Sequence, residues 1–253
     1  MKNNKKIVAI IMAAGKGTRI GATDKPKVMF EVLGEPIIEW AIKPLEQLKR
    51  EKIISRIITV VGYLGNQVID YLGKRSEFVW QKKQLGTAHA VQMAEQSLAY
   101  EKGYTIIVNG DHALYSKETY KKMIDNAIKK KLILGFATVV CDRFDSYGRV
   151  IRDRNGRLLE VIEVPEATDD QKRIQEKSIN LYIVDNEWLF NVLPKVKQSV
   201  VKKEYYIVDI VRMAISEGKK VEAIQIDNED EALGINTLED RAETEEILKR
   251  REN

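Results

Sequence analysis

Ile7-Val8-Ala9-Ile10-Ile11-Met12 runs directly into Ala13-Ala14-Gly15-Lys16-Gly17-Thr18-Arg19, and Lys25-Pro26-Lys27 follows closely. An unbroken apolar run that ends in small residues reads as a strand buried on both faces and opening into a turn. Glycines at such a turn let backbone N–H groups approach an anion closely. Lys16, Arg19, Lys25 and Lys27 put cationic side chains within reach of the same spot, as a triphosphate requires.

The spacing excludes the two commonest phosphate loops. A Walker A loop needs a glycine at position 10, where the chain has Ile10. A dinucleotide fingerprint needs Gly-x-Gly-x-x-Gly, but Gly15 and Gly17 are followed by Ile20 before Gly21. Taken by itself, the stretch also fits a glycine-rich turn with solvated lysines.

The chain has 253 residues, 44% hydrophobic and 32% charged, enough for one large domain with a sizeable core. Its 42 basic and 38 acidic residues leave a net charge of +4 with no basic stripe interleaved with aromatics, so nucleic acid is not an expected partner. Lys129-Lys130-Lys131 closes a helix, where cations suit the macrodipole. The single cysteine, Cys141, excludes a disulfide framework and reads as a core or strand-end residue. No stretch approaches the roughly 18 apolar residues of a membrane span, and the first apolar segment ends in glycines rather than a cleavage site. A cytoplasmic protein, monomeric or a small homo-oligomer, is expected.

Short apolar strands, Ile57–Val61, Phe78–Trp80, Tyr104–Val108 and Ile133–Val140, alternate with helical stretches over 36–50, 64–72, 87–98 and 117–130. That alternation predicts an α/β fold with a mostly parallel sheet and helices on both faces. Ligands then sit at the carboxyl ends of the strands, where the glycine turn and Asp111 both fall. Beyond Asp142, strands at 148–153 and 157–162 flank the hairpin signal Asn155-Gly156. A strand over 181–184, a helix over 206–217, a strand over 221–226 and a helix over 238–251 complete a β-rich lobe on the same sheet. The whole is one domain, 1–253, with a first half to about 141 and a lobe from about 142.

Asp111 follows a buried strand at the mouth of the sheet, a position suited to Mg²⁺ or simply to a turn. His112 reads as an incidental loop histidine. In Gln81-Lys82-Lys83-Gln84-Leu85-Gly86-Thr87, the two amides can read a flat heterocycle, Gly86 lets the backbone close on it, and Thr87 caps the next helix.

These blocks, with Tyr147-Gly148-Arg149, Val161-Ile162-Glu163, Glu204-Tyr205-Tyr206, Asp209 and Gly234-Ile235-Asn236, resemble the uridyltransferase part of the bacterial N-acetylglucosamine-1-phosphate uridyltransferase family over residues 6 to 250. The resemblance implies a Rossmann-like (GT-A-like) nucleotidyltransferase fold, Mg²⁺ as cofactor, and a nucleoside triphosphate and a sugar 1-phosphate as substrates. It assigns Lys27, Arg19 and Lys16 to catalysis at the phosphates. Met12, Ala13, Ala14, Gly15, Gly17 and Thr18, with Gln81, Gln84, Gly86 and Thr87, would hold the nucleotide. Asn109, Gly110, Gly148, Glu163, Ser178, Asn180 and Tyr205 would hold the sugar, and Asp111 with Asn236 the metal.

The chain also departs from the family. Val-Pro after Gly-Asp becomes His112-Ala113, the Tyr before that Gly is Asn109, and Asn-Thr-Gly on the sugar-side strand becomes Ser178-Ile179-Asn180. Side chains two apart on a strand share a face, so Asn180 is expected in the same pocket as Ser178, about 7 Å along. The family's acetyltransferase β-helix is not expected after the helix from Leu238. UDP-N-acetylglucosamine is the leading product. Alternatives are another sugar phosphate, CTP or dTTP, or a catalytically silent nucleotide-sugar binder.

Overall fold

The computed structural model describes residues 6–98 and 101–252. Strand β1 (Lys6–Ala13) is buried at every residue after Lys6. Its side chains alternate between two cores: Ile7, Ala9, Ile11 and Ala13 enter one, Val8, Ile10 and Met12 the other. Both faces must therefore be covered, which is why the run carries no polar residue.

A small hairpin, β2 (Glu31–Val32) and β3 (Glu35–Pro36), leads into α1 (Ile37–Arg50), β4 (Arg56–Val61), α2 (Gly65–Leu72) and β5 (Glu77–Trp80). Next come α3 (Thr87–Gln92), α4 (Glu95–Leu98), β6 (Gly103–Asn109), α5 (Lys117–Lys130) and β7 (Leu134–Val140). Ile42, Leu45 and Leu48 of α1 and Met123 and Ile124 of α5 fill the first core. Each Ile or Leu so buried contributes roughly 1.5–3 kcal/mol. Ser116 caps α5 by accepting from Thr119 N, and Lys131 ends it in left-handed conformation, as expected of the lysine run.

The single helix expected over 87–98 is broken between α3 and α4. Its N-cap is Gly86 with no side-chain cap, because Thr87 Oγ1 is occupied elsewhere, accepting from Ile207 N at 2.9 Å. The later half holds β8 (Arg149–Arg152), β9 (Leu158–Ile162), α6 (Asp169–Lys172), β10 (Glu176–Asp185), α7 (Asn186–Val192), α8 (Asp209–Ser216), β11 (Val221–Gln225) and α9 (Leu238–Glu252). Asp153 Oδ1 accepts from Asn155 N and Arg157 N and so closes the β8–β9 turn, with Gly156 at φ 77°.

The sheet runs β11-β7-β10-β6-β1-β4-β5, with β8 and β9 branching from β10. Within that seven-strand path every pairing is parallel except those of β10, which lies antiparallel to β6 and β7. The chain moves outward from β1 through β4 to β5 and then crosses back to β6. A crevice for a ligand opens at that switch, beyond the carboxyl ends of β1 and β6.

The strand expected over 181–184 is the end of the longer β10. Its first residues lack an apolar strand signal, because Lys177 and Ser178 are polar, and only the resemblance puts Ser178 to Asn180 on a strand. Lys177 and Ser178 are both buried, and Lys177 Nζ donates to the Cys141 carbonyl at 2.8 Å. Pairing with β7 shifts register between Ser178 and Tyr182, and Asn180 sits in the bulge at φ 59°. Side-chain alternation continues through the bulge, since Ile179, Leu181 and Ile183 all enter the first core and Tyr182 the second.

Candidate active site

Met12, Ala13, Ala14 and Gly15 leave β1 into a cavity of about 240 Å³ also lined by Gln81, Gln84, Gly86 and Thr87. A second cavity, of about 210 Å³, is lined by Arg19, His112, Ser146, Tyr147, Glu163, Asn180 and Asn236. Lys27, Asn109 and Asp111 line both. The sequence brings these three together because β6 ends at Asn109, beside Met12 of β1, and Gly110 N donates to Met12 O at 2.8 Å. Gly110 itself is buried in that joint.

Lys27 Nζ donates to Asp111 Oδ2 and, at 2.9 Å, to Asn236 Oδ1. Arg19 donates to the same Asn236 oxygen at 2.8 Å. Two cations and two metal-ligand candidates thus converge on one point. Burial works to raise the Asp111 carboxyl, but the Lys27 ammonium beside it wins and holds it below its ordinary value. Burial pushes the His112 imidazole down.

A divalent cation fits the Asp111–Asn236 pair. Asp111 Oδ1 is buried with no hydrogen-bond partner, leaving a free carboxylate acceptor beside the amide oxygen of Asn236. Among the described residues no group of three or more His, Cys, Asp or Glu could enclose a metal. Mg²⁺ needs no such cage when substrate phosphates complete its shell.

The other cations do not gather as expected. Lys16 is exposed and lines neither cavity, and Lys25 Nζ lies 4.8 Å over the Phe30 ring. Gly17, at φ 71°, makes room for Lys27, since a Cβ there would stand 2.5 Å from Lys27 Cβ, and Gly17 lines neither cavity. Thr18 is exposed in the short turn that follows.

Gln81 is buried and donates to Gly86 O at 3.0 Å, while Gln84 donates to Gln81 O at 3.1 Å. Gly86 lines the first cavity, yet its close approach is to protein, since a Cβ would stand 2.5 Å from Tyr205 O. Tyr205 N donates to Leu85 O, and Tyr205 lines a separate cavity beside His89. It is Glu204, one residue earlier, that reaches the first cavity.

Glu163 and Asn180 line the second cavity, whereas Ser178 and Gly148 do not. Ser178 N donates to Gly148 O at 2.9 Å, tying β10 to the start of β8. Asn180 stands where the resembling family has glycine, and its left-handed φ gives the reason. Asparagine tolerates that conformation best among residues with a side chain. Burial first, then the carboxylates of Asp209, Glu166 and Glu204, push the Glu163 carboxyl up to about 7.

His112, read from the sequence as an incidental loop histidine, is 2% exposed, lines the second cavity and packs against Tyr115 and Tyr147. Ser146 carries no signal in the sequence and reaches the site only through long-range contacts, while Glu204 lay in a motif that the sequence reading left without a role.

The nucleotidyl transferase family model matches residues 8–231. The chain belongs to the nucleotidyl transferase family. This nucleotidyl transferase is 36% identical over 243 residues to the bifunctional protein GlmU of Streptococcus agalactiae serotype V, covering 96% of this chain and 52% of that protein. It is 35% identical over 248 residues to the bifunctional protein GlmU of Bacillus licheniformis, covering 98% and 53% respectively. The chain therefore spans about half the length of the relatives it matches. Its fold is similar to the crystal structure of a UDP-glucose pyrophosphorylase complexed with UDP-glucose, with a TM-score of 0.77 at 18% identity, over 97% of this chain and 99% of that one. No helix among the described residues is long and apolar enough to cross a membrane.

Proposed function

We propose that this nucleotidyl transferase joins UTP to a sugar 1-phosphate, N-acetylglucosamine 1-phosphate foremost, giving a UDP-sugar and pyrophosphate. The observation that supports this most is the shared wall of Lys27, Asn109 and Asp111 between the two cavities. A reacting phosphorus at that wall is open to one substrate from each side. The resemblance of the sequence blocks to the N-acetylglucosamine-1-phosphate uridyltransferase family favours uracil and N-acetylglucosamine.

An oxygen of the sugar phosphate attacks the α-phosphorus of UTP, a P–O bond forms, and the bond to the bridging oxygen of the β-phosphate breaks. Pyrophosphate departs with the electron pair. The attacking oxygen is already ionised near neutral pH, so the reaction needs positioning and charge rather than a general base. Lys27 places its ammonium where charge develops, and Arg19 offers a second cation toward the departing group. Asp111 and Asn236 would hold Mg²⁺, which supplies neutralisation of the phosphate oxygens. Gln81 and Gln84 would face the base, and Glu163 and Asn180 the sugar.

Another sugar 1-phosphate is a second reading, favoured by the Asn180 side chain in the cavity. Chromatography of the products from UTP, Mg²⁺ and N-acetylglucosamine 1-phosphate tests the proposal, with UDP-N-acetylglucosamine expected. Binding of both substrates without product, across a panel of sugar phosphates, would instead make the chain a silent nucleotide-sugar binder.

A further inference from the structure

The His112 ring stacks face to face on Tyr115, with centroids 5.0 Å apart and planes at 4°. The Tyr115 hydroxyl donates to the carbonyl of Ile179, the residue before Asn180, and so supports the bulge from behind. On the other side, His112 Nε2 lies 3.5 Å from Tyr147 Oη, and that hydroxyl donates to Ala232 O at 2.7 Å. A Cβ on Gly234 would stand 2.8 Å from Tyr147 Oη and 3.0 Å from His112 Nε2. The loop leading to Asn236 thus closes directly onto these two rings. His112 Nε2 is also 3.9 Å from Asp111 Oδ1, the buried oxygen with no hydrogen-bond partner.

One imidazole therefore touches the Asp111 carboxylate, the support of Asn236 and the support of Asn180. Close-packed rings have little room to shift independently, so a change at any of the three is felt at the others. The nitrogen and the ring have separable duties. Nε2 faces Asp111 and Tyr147, while the flat face holds Tyr115 under the bulge.

We propose that His112 is a positioning residue that keeps the Asp111–Asn236 cation site and the Asn180 end of the sugar-side cavity in register. The inference rests on the proposed reaction for what the two sites bind, and its test is chosen to be read without turnover.

The test uses the purified chain with His112→Phe, which keeps a stacked ring and loses Nε2, and His112→Ala, which loses both. Mn²⁺ binding is followed by the spin resonance of the free ion. Affinity for the sugar 1-phosphate that the wild type binds most tightly is measured by calorimetry, with both assays run well below each variant's Tm. Groups that orient a metal ligand from behind are typically worth 10- to 100-fold in metal affinity. His112→Phe is expected to weaken Mn²⁺ binding about 10-fold and leave sugar-phosphate affinity near wild type. His112→Ala is expected to weaken both by about 10-fold or more. Wild-type affinities in both variants, or a lowered Tm as the sole effect, would overturn the proposal, as would a wild type that binds no Mn²⁺. Should His112→Ala fail to fold, the Phe variant alone decides the metal arm. A wild type that binds both probes and makes no nucleotide sugar would contradict the proposed reaction and leave this inference standing.

Discussion

Lys27 donates to the carboxylate of Asp111 across 84 residues of sequence, and the pair is largely shielded from solvent between the two cavities. A buried carboxylate that loses its one adjacent cation is strongly destabilising. Lys27 therefore supports folding as well as the proposed chemistry. From the sequence alone only the catalytic part was foreseeable, because nothing near Lys27 in the chain names Asp111 as its partner.

Lys27→Ala is expected to lower kcat by roughly 10²-fold or more through loss of transition-state charge. It should also lower Tm, by an amount that Asp111→Asn in the same chain largely restores. Calorimetry of the single and double variants checks this. An unchanged Tm in Lys27→Ala would mean the ion pair is idle in the free protein.

Asp111→Asn should act on the cation requirement. Its carboxamide keeps an oxygen but lacks the charge that favours a divalent ion. The Mg²⁺ concentration for half-maximal rate is expected to rise by about 10-fold or more, in line with other weakened metal sites. An activity curve that overlays the wild type would remove Asp111 from the metal site.

The Glu163 carboxyl gives a pH signature. Its folded value of about 7 exceeds the ordinary 4.5, so between these values the native chain retains a proton that the unfolded chain releases. Stability from this group is full below about pH 4.5 and is lost as pH rises through about 7. The groups facing it, Asp209, Glu166 and Glu204, all add negative charge. Glu163→Gln cannot ionise, so its Tm should exceed that of the wild type by a few degrees at about pH 8, a gap that closes toward about pH 5. Parallel Tm curves would show Glu163 to be solvated.

Asn180 is best replaced by glycine, because alanine at φ 59° would add backbone strain to any loss of contact. Asn180→Gly keeps the bulge and empties the cavity wall. It should reduce kcat/KM far more for the true sugar phosphate than for poor ones, since a site that bonds a polar group discriminates strongly. Equal losses across a panel would confine Asn180 to a structural role.

The legible parts of this chain were those with local signals. The apolar run of β1, the Ser116 cap, the Asn155-Gly156 turn and the apolar–helical alternation each follow from neighbours in sequence. The mouth of β1 and β6 was legible for the same reason, since Gly15 and Asp111 both follow buried strands. What escaped depends on distant partners. Thr87 Oγ1 is taken by Ile207 N, Gly17 is glycine because Lys27 presses on it, and β10 hides a buried lysine, Lys177, satisfied by the Cys141 carbonyl. His112 looked idle for want of a motif, and only the fold brings Tyr115, Tyr147 and Gly234 to its ring.

The most direct measurement of the central claim is the initial rate of pyrophosphate release with Mg²⁺ over UTP, CTP and dTTP, each paired with several sugar 1-phosphates. The account predicts release that requires both substrates, is fastest with UTP and N-acetylglucosamine 1-phosphate, and yields one nucleotide sugar per pyrophosphate. No release with any pair, or release that proceeds without a sugar phosphate, would contradict it.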